Sequence, residues 1–65
     1  MRNKGLKEAL KRAGGQQALG RLLNISVQAV HQWRRVPAER IVAVERATGV
    51  PRARLRPDLY ERAGP

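Results

Sequence analysis

The sequence of 65 residues contains no cysteine, no phenylalanine and no long apolar run. Without cysteine, neither a disulfide framework nor a thiolate zinc site can support the fold. No apolar stretch approaches the roughly 20 residues of a membrane span, and Met1-Arg2-Asn3-Lys4 is followed by no apolar signal-peptide core. We therefore expect a cytoplasmic protein without membrane association, whose single thin core is built by helix packing.

Acidic side chains are scarce. Five Asp and Glu stand against fourteen Lys and Arg, which gives a formal net charge of +9. Such a surplus suits a polyanionic partner, with nucleic acid first and an anionic membrane surface second. A membrane-surface helix would be long and amphipathic, whereas glycines and prolines divide this chain into short pieces. Nucleic acid is therefore the favoured partner.

Side chains suited to catalysis are equally few. His31 and Ser26 are the single histidine and the single serine, and the five acids are scattered, so the chain offers no paired carboxylates and no convincing triad. The glycines lack the following Gly-Lys-Ser/Thr of a phosphate-cradling loop. We expect no enzyme activity, no metal, no cofactor and no small-molecule ligand.

Helical spacing of apolar residues begins near the N-terminus. The pattern from Leu6 to Ala13 predicts a first helix that Gly14-Gly15 closes. Residues 16–23 follow with leucines on one side, and Asn24 stands where a left-handed residue would end a second helix.

A third helix is predicted to start at Ser26. Its hydroxyl can accept a hydrogen bond from the free N–H of Gln28 or Ala29. Val30 and Trp33 mark the inner face of this helix, which favours core packing of the tryptophan over base stacking.

The second half of the chain is less regular. Pro37 fits the first turn of a fourth helix, which Gly49 ends. The segment from Arg52 to Tyr60 is expected to form one or two short turns with Leu55 and Leu59 facing inward.

These patterns predict an all-α fold, a single domain over residues 1–65 with four or five short helices. The expected core consists of Leu6, Leu10, Leu19, Leu22, Leu23, Ile25, Val30, Trp33, Ile41, Val44 and Leu55.

The second and third predicted helices have the spacing of a helix-turn-helix unit. Two short helices joined by a tight turn can present the second one to the major groove of DNA. Counting Gln16 as the first position, Gly20 falls where the helices approach most closely. At the turn, where glycine is usual, the chain has Asn24, which also tolerates positive φ. The positions that must be apolar are filled by Leu19, Leu23, Ile25, Val30 and Trp33.

The stretch from Gly15 to Arg34 resembles the helix-turn-helix of phage Cro proteins. It is also similar to the YdaS-like branch of Cro-type antitoxins or regulators, and residues 36–40, 45–49 and 55–58 extend this similarity over nearly the whole chain. The resemblance implies a lambda-repressor-like fold and a sequence-specific transcriptional regulator, a Cro-type repressor of a phage or prophage. Its recognition helix would be the segment Ser26 to Arg34. Nothing in the sequence indicates the β hairpin through which some Cro proteins dimerise.

The resemblance also implies which side chains meet DNA. Those facing the groove would be Val27, Gln28, His31 and Gln32. A glutamine can pair bidentately with adenine, and a valine can contact a thymine methyl group. Gln16 resembles a phosphate-binding glutamine at a helix N-terminus, and Ser26, Arg34 and Arg35 flank the reading face. The predicted DNA-binding residues are Gln16, Gln17, Ser26, Val27, Gln28, His31, Gln32, Arg34 and Arg35.

Several of these residues have simpler interpretations. Ser26 can serve as a helix cap without contacting DNA. His31 can be an ordinary surface histidine, and the two glutamines of the third helix can be ordinary helix formers. Arg52, Arg54 and Arg56 either contact phosphates or keep the C-terminal segment in solution.

The expected partner is a double-stranded DNA operator, occupied by a weak homodimer that can form on the DNA itself. One recognition helix reads too few base pairs for useful specificity, which favours pairing, with a surface around Leu55, Leu59 and Tyr60 as the candidate contact. Two alternatives are an antitoxin-like module that binds another protein and a non-specific nucleic-acid binder. The presence of only two aromatic residues argues against single-stranded recognition.

Overall fold

The structure is a computed structural model that describes residues 2–60. Within this range the chain is all-helical and contains no strand. The helices are α1 (Lys4–Ala13), α2 (Gln16–Leu23), α3 (Val27–Gln32), α4 (Ile41–Thr48), α5 (Arg52–Leu55) and α6 (Pro57–Tyr60), with a 3-10 turn (Ala38–Arg40) before α4. The predicted all-α fold is confirmed.

The helix ends follow local chemistry. Asn3 caps α1, because its side-chain oxygen accepts a hydrogen bond from the N–H of Leu6 at 2.9 Å. Asn24 ends α2 in the left-handed conformation with φ 61°, as its position predicts. Pro37 is extended and starts the 3-10 turn, so the regular part of the fourth helix begins later than expected, at Ile41.

The core lies between α1, α2, α3, α4 and α5. Leu22, expected in the core, is 55% exposed. It lies two positions after Gly20, which is buried against the turn into α3, so Leu22 lies about 200° round the helix and faces away. The fully buried residues are Leu6, Ala9, Leu19, Val30, Val36, Ile41, Val44, Val50 and Leu55, and those packed against them and partly buried are Leu10, Ala13, Leu23, Ile25 and Trp33.

Helix α3 is shorter than the segment Ser26 to Arg34 that was predicted as the recognition helix. Regular helix ends at Gln32, and Trp33 is already extended with φ −71° and ψ 133°. The chain leaves the helix after Gln32 because Val36, four positions after Gln32, is fully buried in the core. The Arg34 carbonyl accepts a hydrogen bond from the N–H of Asn3 at 2.8 Å, which holds this exit in place.

The prediction that Leu59 faces inward is wrong. Its side chain is 52% exposed, whereas Leu55 is fully buried as predicted. The helical relation between these leucines is interrupted at Arg56, whose φ −137° and ψ 74° separate α5 from α6. Arg56 is buried instead, although the sequence pattern predicts that Leu59 is the buried residue after Leu55.

Candidate nucleic-acid interface

The contact between α2 and α3 depends on the absence of a side chain at Gly20. A Cβ atom there would lie 2.9 Å from the carbonyl oxygen of Ile25. The Ile25 N–H donates to the Gly20 carbonyl at 2.9 Å, so the turn is closed by a backbone hydrogen bond at the same point. Together with the left-handed Asn24, this gives the tight α2–turn–α3 unit that the sequence predicts.

Ser26 sets the start of α3. Its hydroxyl accepts a hydrogen bond from the N–H of Ala29 at 3.2 Å, which confirms the predicted cap. The cap fixes the first turn of the helix, and the exposed Val27 and Gln28 both lie in that turn.

Five of the predicted DNA-binding side chains come together in space. Gln16 from α2 and four residues of α3 line one shallow, open depression. Gln17 is exposed beside this group but does not line the depression, and Ser26 is engaged as the cap. The lining residues are Gln16, Val27, Gln28, His31 and Gln32. We call this surface the reading face.

A side-chain hydrogen bond links the two helices across the reading face. His31 Nδ1 lies 3.1 Å from Gln16 Oε1. Because an amide oxygen only accepts, the ring donates from Nδ1. The other ring nitrogen, Nε2, takes no part in this bond.

Arg34 and Arg35 follow the reading face and are both exposed. Arg34 lines a second open depression, together with Arg2, His31, Gln32 and Trp33. Arg35 points toward the C-terminal segment, where its guanidinium lies 3.8 Å from the carboxylate of Asp58. Trp33 is half-buried against the core, which confirms core packing over base stacking.

The surroundings of the reading face lack negative charge. No Asp or Glu occurs between Glu8 and Glu39, a stretch that includes all of α2 and α3. Among residues 2–60, every ion pair involves residues outside 16–34. A polyanion approaching this surface therefore meets donors and cations without a carboxylate among them.

The C-terminal arginines have acidic partners. Arg52 pairs with Glu45 at 2.9 Å, and Arg54 pairs with Glu8 at 2.9 Å. The hydrogen bond from Arg54 is the largest cause that lowers the pKa of Glu8. These two side chains link neighbouring helices, an arrangement that their alternation in the sequence did not predict.

Arg56 forms the tightest of these contacts. Its Nε and Nη2 donate to the two carboxylate oxygens of Asp58 at 2.9 and 2.7 Å, and its Nη1 donates to the Val36 carbonyl at 2.9 Å. These hydrogen bonds lower the pKa of Asp58 to about 2 and raise that of Arg56. These hydrogen bonds of Arg56, which we call the clasp, hold the segment after α3 against α6.

Sequence reasoning missed Arg2 and Asn3. Arg2 Nη2 donates to the His31 carbonyl at 3.0 Å, and Asn3 contacts both Arg34 and Leu55 through hydrogen bonds. No short-range pattern could reveal contacts between residues so far apart in the chain.

Other kinds of site find little support in the part of the chain that is described. Residues 2–60 hold no cluster of three or more His, Asp or Glu side chains placed to bind a metal ion. In the same range, none of the helices has the length and apolar character needed to cross a membrane.

The fold and the reading face together define a small helix-turn-helix protein. A sequence model of the family described as "Bacterial toxin YdaS" matches residues 6–63, and the chain belongs to this family. The resemblance had implied antitoxins or regulators, whereas this description names a toxin.

A curated relative supports the family assignment. The chain is 46% identical over 63 residues to the protein named "Putative transcriptional regulator YdaS" of Escherichia coli strain K12. The alignment covers 88% of this chain and 64% of the relative, so the chain spans less than two thirds of that protein's length. No solved structure matches the chain significantly.

Proposed function

We propose that the protein is a sequence-specific transcriptional regulator of the Cro type, which represses by binding a double-stranded DNA operator with α3 in the major groove. The observation that carries this proposal is the reading face, where five predicted DNA-binding side chains line one depression on the α2–α3 unit. The name of the relative from Escherichia coli favours the same role. The proposal includes no enzymatic activity, and it includes a phage or prophage origin, which the resemblance to Cro proteins supports.

Each part of the reading face has a role in this proposal. Gln28 and Gln32 offer the paired donor and acceptor that adenine accepts in the major groove, and Val27 offers methyl groups to thymine. His31, oriented by Gln16, presents Nε2 to a base edge. Gln17, Ser26, Arg34 and Arg35 contact phosphates at the two ends of the unit, which positions the face without reading sequence.

We further propose that two copies bind two-fold related half-sites. Helix α3 spans only six residues, so a single copy of the protein contacts few base pairs. The candidate contact surface around Leu55, Leu59 and Tyr60 needs one correction, because Leu55 is fully buried and unavailable to a partner. Leu59 and Tyr60 remain exposed.

The experiment that tests the proposal is a selection from random duplex DNA, followed by anisotropy titrations of the selected and a scrambled duplex at near-physiological salt. An inverted repeat with half-sites about one helical turn apart, bound roughly a thousandfold above scrambled DNA, is the expected result. Enrichment of no motif, with equal binding to every duplex, would overturn sequence-specific regulation and leave a non-specific binder.

Three variants distinguish residues that recognise bases from residues that contact the phosphate backbone. Gln28→Ala should lose about 1 to 3 kcal/mol of discrimination at one base pair, and keep its preference elsewhere. Gln17→Ala removes the same side chain from an exposed position outside the depression, so it should leave the selected motif unchanged. Arg34→Ala should weaken all duplexes alike. If Gln28→Ala and Gln17→Ala give the same motif, the assignment of the reading face is wrong.

The family description favours a second candidate function, in which production of the protein slows the growth of a bacterial cell. The two functions are compatible if the growth defect follows from occupied promoters. Inducing the wild-type protein and Gln28→Ala in parallel tests this link. A growth defect that disappears with Gln28→Ala supports toxicity through DNA, whereas one that persists indicates a protein partner.

A further inference from the structure

The residues before α1 lie on the C-terminal end of the recognition helix. Arg2 Nη2 donates to the His31 carbonyl at 3.0 Å, and the Asn3 N–H donates to the Arg34 carbonyl at 2.8 Å. Asn3 Nδ2 also donates to the Leu55 carbonyl at 2.9 Å. Arg2 is therefore held beside the reading face by a segment that is anchored at three points.

The second depression borders directly on the reading face. His31 and Gln32 line both surfaces, and the second one adds Arg2, Trp33 and Arg34. It contains two guanidinium groups and no acidic residue. Within residues 2–60, no carboxylate lies within 4.0 Å of either arginine, in contrast to the paired arginines of the C-terminal segment.

The guanidinium of Arg2 has unused hydrogen-bonding capacity. It carries five N–H donors, and the described residues supply an acceptor only to Nη2. Its Nε is buried without any partner. Of the remaining donors, those on Nη1 and Nη2 can pair with an anion that has several oxygens.

We propose that this second depression binds one phosphate of the DNA backbone, with Arg2 and Arg34 as its cationic donors. The inference rests on the proposed function, in which Arg34 already contacts a phosphate, and it adds Arg2 as a second donor to that contact. A helix that lies in the major groove is bordered by phosphates, and the end of α3 carrying Gln32 is where one strand would pass. The planar guanidinium matches a phosphate through paired hydrogen bonds.

The first test is the salt dependence of binding to the selected duplex and to a scrambled duplex. Arg2→Gln removes the charge, Arg2→Lys keeps it, and Lys7→Gln removes a charge from an exposed position of α1 that lines neither depression. Loss of one phosphate contact should reduce the slope of log K against log salt by about 0.9. We expect this change on both duplexes for Arg2→Gln only, with Arg2→Lys close to the wild type.

The second test identifies the phosphate by ethylation interference on the selected duplex. One phosphate whose ethylation weakens binding of the wild type should weaken it clearly less with Arg2→Gln, because only Arg34 then contacts that phosphate, and should keep its full effect with Lys7→Gln. Circular dichroism of each variant shows whether the fold is kept. A merely structural role for Arg2 would change the melting temperature and leave the interference pattern as in the wild type.

The outcomes distinguish the two proposals. A wild-type slope and interference pattern in Arg2→Gln overturns the phosphate site and leaves the regulator proposal standing. Equal slope changes in Arg2→Gln and Lys7→Gln also overturn the site, because net charge alone then explains them. A wild type that binds selected and scrambled duplexes equally overturns sequence-specific regulation, while the slope of Arg2→Gln on either duplex still decides the phosphate site.

Discussion

Two leucines of α2 should respond very differently to the same truncation. Leu19 is fully buried in the core, whereas Leu22 is 55% exposed, although the sequence predicts both as core residues. Leu19→Ala and Leu22→Ala remove the same atoms from the same helix. The difference between their stability losses therefore reports the burial of each side chain, because helix propensity and the atoms removed are the same in both variants.

The magnitudes follow from the exposure of each side chain. Truncating a fully buried leucine costs about 2 to 5 kcal/mol, since the lost transfer energy is increased by the cavity left behind. Leu22 keeps less than half of its surface covered, and at about 0.8 kcal/mol for each fully buried methylene the loss is about 1 kcal/mol. The total stability of a chain this short is roughly 3 to 10 kcal/mol. Leu19→Ala thus removes a large part of the stability, and Leu22→Ala a small part.

Urea denaturation, followed by far-UV circular dichroism and by the fluorescence of Trp33, measures both losses. With an m value of about 1 kcal/mol per molar urea, Leu22→Ala should lower the midpoint by about 1 M. Leu19→Ala should lower it by about 2 M or more, or lack a folded baseline altogether. Losses within about 0.5 kcal/mol of each other would refute the orientation of α2, and with it the face that α2 presents to α3.

Two further predictions concern the C-terminal segment. A methyl group at Gly5 would overlap the carbonyl of Arg54 and lie 2.6 Å from the Cα of Leu55, so Gly5→Ala should lower the stability in a thermal melt by about 1 to 3 kcal/mol. An unchanged melt would contradict the packing of α1 against α5. Because the hydrogen bonds from Arg56 lower the pKa of Asp58 from 3.8 to about 2, its contribution to stability is present above about pH 4 and is lost as the pH falls toward 2. Asp58→Asn should flatten this part of the stability–pH curve, and an equally steep curve would show that the clasp does not titrate as described.

Local features of the fold were predictable because each depends on a few neighbouring residues. The ends of α1, α2 and α4 follow from residues that adopt the left-handed conformation, and the start of α3 follows from the hydroxyl of Ser26. Gly20 was also predictable, because the spacing of the helix-turn-helix unit requires a small residue at that position. Helical periodicity groups the four residues of the reading face that lie on α3, whereas Gln16 of α2 was predicted from the resemblance.

Features that depend on distant residues were not predictable. Val36 and Val50 are fully buried but lie in connecting segments, where hydrophobic periodicity gives no guidance. The prediction that Leu59 faces inward requires a continuous helix across Arg56. The helix is interrupted there, and the side chain of Arg56 is buried while that of Leu59 is exposed. The ion pairs of the C-terminal arginines involve partners on other helices, so the sequence could not distinguish them from free cations.

The residues that follow α3 show why the end of this helix was the least predictable part of the candidate site. Both ends of the described chain meet there, since Asn3 binds the carbonyl of Arg34 and Arg56 binds that of Val36. These bonds join residues 31 and 20 positions apart, so the helix ends where distant segments hold the chain, rather than where its own sequence would stop it. The direction in which Arg34 leaves the reading face is therefore set by the segment before α1 and by the clasp at Arg56. The proposed phosphate site requires that direction to be fixed, so Asn3 and Arg56 help to position Arg34 without being part of the proposed site.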